Sequence, residues 1–162
     1  MHAGVAPLYE IFKLNTRLFL NCLRDVDDEN ARQRAGAANN MAFIALHLLD
    51  ARCYLARTLG IEYRMPYADM LDSVSNIDEV EQYPPLKGVR DSWRLVSDLL
   101  VDRLAALDAA DVARVAPLEF PVDDGTLLGG IAFLVQHESS HIGQLAFLRR
   151  YLGLAAMSYD PD

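Results

Sequence analysis

The sequence predicts an all-α fold, a four-helix bundle with one long crossover between the second and third helices. Three observations carry that expectation. Four long stretches space their apolar residues at helical intervals, strand-like alternation is confined to one short run, and the connection over residues 61–85 is long.

The first helix is expected from about Pro7 to Arg24, with proline suited to its first turn. Leu8, Ile11, Phe12, Leu18, Phe19 and Cys22 form its apolar stripe. The second runs from about Ala37 to Leu59 and stops at Gly60. The third covers about Leu86 to Leu107, with Val89, Trp93, Val96, Leu100, Leu104 and Leu107 on one side. The fourth runs from about Thr126 to Leu152, after the capping material Asp123-Asp124-Gly125 and before Gly153. A short helix is expected over Ile77–Gln82. The run Leu118-Glu119-Phe120-Pro121-Val122 is strand-like, but its proline argues against a central strand.

Helices two and four carry little polar surface for the outside of a small bundle; from Met41 to Leu49 the only polar residue is His47. Helix four also aligns Gly129, Ala132, Ser139, Gly143 and Ala146 on one face. Tight packing inside the bundle explains such a seam, and so does a homodimer interface made from helices two and four.

The 162 residues fit one domain spanning 1–162, large enough to bury a core without staples. No apolar run reaches the roughly 18 residues that span a bilayer, so no membrane partner is expected. Met1–Pro7 holds neither a basic nor an apolar leader segment, so no signal peptide is expected. Fifteen basic residues against 23 acidic ones give a formal charge of −8, which repels a phosphate backbone and disfavours nucleic acid. Cys22 and Cys53 form no CxxC and read as reduced core thiols of a cytoplasmic protein.

The chemistry concentrates in His137-Glu138-Ser139-Ser140-His141. A separation of four on a helix leaves two imidazoles about 40° apart on one face, so their ring nitrogens can converge on one cation. The literal match to the zincin motif His-Glu-x-x-His must be weighed first, with Glu138 as its general base. Against it, no histidine or glutamate follows His141 to supply a third ligand, and the chain offers almost no edge strand to hold a peptide. Helical geometry also turns Glu138 off the bisector of the two histidines.

A third ligand must then come from upstream. His2 lies near the terminus. His47 lies inside the second helix, where a leucine-flanked histidine is often a hydrogen-bonded core residue. In a bundle that sets helices two and four side by side, a metal shared with His137 and His141 is the competing explanation. Three histidines on two helices make a facial set with open positions, as in catalytic sites. Neutral imidazoles without thiolate suit Zn²⁺, Ni²⁺, Cu²⁺ or Fe²⁺ and exclude a hard-ion site.

Spacing nominates neighbours of the ligands. Gln144, three beyond His141, can orient an imidazole or a water, or is a surface glutamine. Asn40 and Tyr54 lie seven residues either side of His47; the tyrosine can donate to a bound oxyanion or cap the core. Asn15 interrupts the apolar stripe of the first helix and needs a buried partner, for which the metal site is a candidate.

Residues His47-Leu48-Leu49-Asp50-Ala51-Arg52, preceded by Asn39-Asn40, and His137-Glu138-x-x-His141-Ile142-Gly143-Gln144-Leu145 resemble the DinB/YfiT-like family of metal-binding four-helix bundles. The likeness extends over the whole chain, from helix order to the long second connection. It implies that His47, His137 and His141 bind one divalent metal, zinc or nickel. It implies further a metal-dependent enzyme that activates a thiol or water: a thiol-dependent S-transferase using a low-molecular-weight thiol such as mycothiol or bacillithiol, or a small-molecule hydrolase. The alternative is a non-catalytic metal or small-ligand binding protein, compatible with stress response. Imidazole ligates only when neutral, so a bound metal should leave as pH falls through about 6 and below.

Overall fold

The computed structural model describes residues 1–71, 77–80, 82–117 and 119–160. Four helices are long: α1 (Ala6–Cys22), α3 (Met41–Thr58), α5 (Leu86–Ala105) and α7 (Leu127–Tyr151). The connections hold three short ones, α2 (Asp28–Ala31), α4 (Ala68–Leu71) and α6 (Ala109–Ala113), together with a 3-10 turn over Ile77–Glu79. The sequence predicts the long helices; the short ones, of four or five residues, hold too few turns to show a period. No helix among the described residues is long and apolar enough to cross a membrane.

The contacts between long helices run in a closed circuit, α1 to α5, α5 to α3, α3 to α7 and α7 back to α1. Phe12, Phe19, Leu46, Leu49, Trp93, Val96, Leu100 and Leu145 fill the space between them and are fully buried. Each such side chain contributes roughly 1.5–3 kcal/mol of transfer free energy. The apolar excess of the second and fourth long helices has a local explanation: α2 packs on α3, and α6 packs on α7.

The ends follow from local chemistry. Asn40 has an extended backbone and accepts the Phe43 amide at 2.8 Å, so α3 begins at Met41 and not at Ala37. Thr126 caps α7 by accepting the Gly129 amide. Gly60 and Gly153, both at φ +78°, turn the chain out of α3 and α7 in the left-handed conformation that glycine adopts without strain. The tail is tied down by Arg149, which donates to Ala155 O, Cys22 O and Arg24 O.

The strand-like run over 118–122 forms no strand at its described residues, 119–122, in keeping with its proline. Glu119–Val122 are irregular, Leu118 lies outside the described residues, and the one ladder contact among those described is an isolated bridge between Val115 and Thr126. Of the helix expected over Ile77–Gln82, the 3-10 turn is present and residue 81 lies outside the described residues.

Candidate metal centre

The Asn40 cap sets the start of α3, and His47 follows two turns later. On α7, His137 and His141 stand one turn apart, toward α3. One ring nitrogen from each of His47, His137 and His141 lies within 4.8 Å of the others. His47 Nε2 and His137 Nε2 are 3.0 Å apart. The rings meet edge to face, with centroid separations of 5.0, 4.9 and 4.5 Å and interplanar angles of 68°, 78° and 73°. Three rings tilted around a common point aim their nitrogens inward. Stacked rings would not.

Burial favours the neutral form of His47 and of His137. His47 is pushed from 6.5 to about 4, first by loss of water and then by repulsion from His137 and His141. His137 shifts down for the same first reason, with His141 adding to it. Neutral rings whose lone pairs crowd together at 3.0 Å must share a proton or a cation between them.

Gln144 stands where its spacing predicts. Its side-chain oxygen meets His141 Nδ1 at 2.9 Å, which assigns the proton to Nδ1 and leaves Nε2 free to ligate. Asn40, Asn15 and Glu138 make their bonds elsewhere. Asn40 is the cap of α3 and donates to Arg32 O and the Tyr83 hydroxyl; seven residues along a helix is about 10.5 Å, out of reach of the ring of His47. Asn15 faces the opposite flank of α7, where it donates to Val135 O, Ser139 Oγ and Glu138 Oε2 at 3.3, 3.1 and 3.4 Å. Glu138 turns into the core and is held by Arg52, so it is neither a base at the histidines nor a partner of their rings. The Tyr54 hydroxyl is buried without a hydrogen-bond partner among the described residues. Its ring joins the site only through an aromatic wall, Tyr54 on Phe120, Phe120 on Phe133, and Phe133 on His137. His2 is spent at the terminus, accepting the Gly4 amide.

Two features escape the sequence. Arg52 appears there as one of two arginines in a largely apolar helix, and nothing local pairs it with a glutamate 86 residues away. Beside Gln144 lies a groove of about 590 Å³ between α7 and the start of α3, lined by Asn39, Ile44, Ser140, Gly143, Gln144 and Phe147 among others, none charged.

The donor set fits a divalent transition metal. Nitrogens bound at about 2.0–2.1 Å with tetrahedral angles stand roughly 3.3 Å apart, which the present spacing reaches with small ring movements. Among the described residues neither a carboxylate nor a thiolate joins the group. Burial pushes the Cys22 and Cys53 thiols up to about 12, far from ligating form at neutral pH.

No curated protein matches the chain. The family model described as the DinB superfamily matches residues 11–145, a span that takes in all three histidines and all but the outermost turns of the long helices. The His47, His137 and His141 arrangement and the helical frame around it thus agree with the match, and the chain belongs to the DinB superfamily.

Proposed function

We propose that the chain is a metal-dependent enzyme of the DinB-like type, built on a four-helix bundle with the 61–85 crossover. In this reading His47, His137 and His141 hold one divalent transition metal, zinc or nickel. The observation that carries it is the convergence of three ring nitrogens from two helices, with no fourth protein ligand among the described residues. Bound there, such a cation supplies a Lewis acid that favours the deprotonated form of a thiol or water in its remaining positions.

The chain's own residues do the rest. Burial holds His47 and His137 neutral at physiological pH, and Gln144 fixes the tautomer of His141. The uncharged groove beside Gln144 offers a place for a small neutral substrate, of a volume ordinary for small-ligand sites. The favoured chemistry is thiol-dependent S-transfer, in which a thiol would lose its proton to solvent, its sulfur would attack an electrophilic carbon, and the leaving group would depart with the bonding electrons. Hydrolysis of a small molecule by activated water is the close variant. A cytoplasmic setting belongs to this reading and is supported by the free, buried state of both cysteines.

A second reading, a binding protein without turnover, is favoured by one observation: the carboxylate of Glu138, next to His137 in the chain, is consumed by Arg52. Elemental analysis of the purified full chain, followed by cobalt substitution, tests both. The expectation is one metal per chain, lost in His47→Ala and in His141→Ala, and a cobalt spectrum that shifts when thiol or azide is added. A chain that takes up no metal refutes the site. A cobalt spectrum inert to thiol and azide refutes the enzyme and leaves the binding protein.

A further inference from the structure

Arg52 is fully buried, and its side chain reaches all the other long helices. Its Nε donates to Glu138 Oε1 at 2.7 Å, and its Nη2 to Glu138 Oε2 at 3.0 Å and Phe12 O at 3.3 Å. Its Nη1 donates to Thr16 Oγ1 at 2.8 Å and to Ser97 Oγ. A guanidinium has five N–H groups, and all five are accounted for. The plane lies between two rings, 3.9 Å from the centre of Phe12 and 3.5 Å from that of Trp93. Phe12 and Thr16 belong to α1, Trp93 and Ser97 to α5, and Glu138 to α7. Asn15 of α1 adds a further bond to Glu138.

A buried ion pair is seldom favoured on stability alone, because an apolar pair of similar volume does as well or better. What the fork adds is geometry. Two parallel bonds from a planar guanidinium to a carboxylate tolerate little rotation or slide of one helix against the other. Arg52 follows His47 by five residues on the same helix, and Glu138 lies between His137 and His141. A slip of one residue in α3 would carry His47 about 1.5 Å along its axis and about 100° around it, enough to scatter the three nitrogens.

We propose that Arg52 and Glu138 are positioning residues for the histidine cluster: their bidentate bond locks α3 against α7 and thereby sets the distance from His47 to His137 and His141. Neither residue touches the ring nitrogens; both act through the helices that carry them. The consequence for metal affinity rests on the reading of the histidines as a metal site. The register lock itself does not.

The test uses the full chain in three forms: wild type, Arg52→Met/Glu138→Leu, and Arg52→Lys. The double variant keeps the core filled without charge, and lysine keeps the charge without the fork. In the metal-free proteins, NMR cross-peaks between ring protons report the approach of His47 to His137 and His141. Affinity for Co²⁺, by competition with a chelator, reports the site.

The double variant is expected to melt cooperatively, lose the cross-peaks and bind Co²⁺ about 10–100-fold more weakly, the range seen when the support of a ligand is removed. Arg52→Lys should weaken the cross-peaks and lose part of the affinity. Wild-type cross-peaks and affinity in both variants overturn the proposal, and if the double variant does not fold, Arg52→Lys decides alone. Wild type that shows the cross-peaks but binds no Co²⁺ overturns the metal reading and leaves the lock to be judged on the cross-peaks.

Discussion

His47 shows at the scale of one residue how burial becomes pH dependence. Its folded-state pKa of about 4 lies below the 6.5 of an exposed imidazole. Between those values the unfolded chain binds the extra proton and the folded chain does not, so acid favours unfolding across that window. The stability of the metal-free protein should therefore fall as pH drops from about 6.5 toward 4, and this contribution should level off below. His137 shifts in the same direction and steepens the slope. Urea midpoints of wild type and His47→Gln, measured from pH 7 to 4.5, check this: the variant should lose less stability over the range. Parallel curves would mean that His47 is not held neutral by the fold.

At the scale of the element, α7 carries a seam of small residues that the sequence presents as one face, and the structure divides it by neighbour. A Cβ added at Gly129 would meet the Asp124 carbonyl oxygen at 2.1 Å, while one added at Gly143 meets nothing within 4 Å. Ser139, between them, accepts from Asn15 of α1. Gly129→Ala should thus destabilise by about 1–3 kcal/mol, as overpacking against backbone does. Gly143→Ala should stabilise by roughly 0.5–1 kcal/mol, because alanine loses less backbone freedom in a helix. Thermal melts of the two variants decide the signs. A destabilising Gly143→Ala would mean that another backbone covers this face, and sedimentation would then show a second copy.

The same helices show what a sequence reveals and what it hides. The long helices are legible because apolar spacing and the stops at Gly60 and Gly153 are local signals. The start of α3 is misread by four residues, since Ala37 and Ala38 favour a helix until the extended backbone of Asn40 interrupts it. His137, His141 and Gln144 are legible because they share one helix and one face. Angular phase alone misplaces Asn40, which shares a face with His47 but stands two turns away from it. Asn15, for whose buried partner the metal site is one candidate, bonds Ser139, because polarity in an apolar stripe announces a buried partner without saying which. Such partners are set by how helices far apart in sequence come together.

At the scale of the whole molecule, the Arg52 node decides how far a local change spreads. Four helices meet on one guanidinium, and the charge opposite it, Glu138, is only 3% exposed. Removing the cation alone leaves a carboxylate with no counter-charge and little access to water. It also takes a donor from Thr16 and Ser97, whose hydroxyls keep only their bonds to Phe12 O and Trp93 O, and opens the gap between Phe12 and Trp93. Arg52→Met should accordingly cost about 3–5 kcal/mol, the range for breaking one side of a buried pair. Adding Glu138→Leu in the same chain removes the stranded charge and should recover most of that loss, so the two substitutions will be strongly non-additive. Denaturant unfolding of both singles and the double measures the coupling directly. Additive losses would mean that the pair is not coupled in the folded state, and that the aromatic sandwich around Arg52, with its bonds to α1 and α5, holds the centre of the molecule without Glu138.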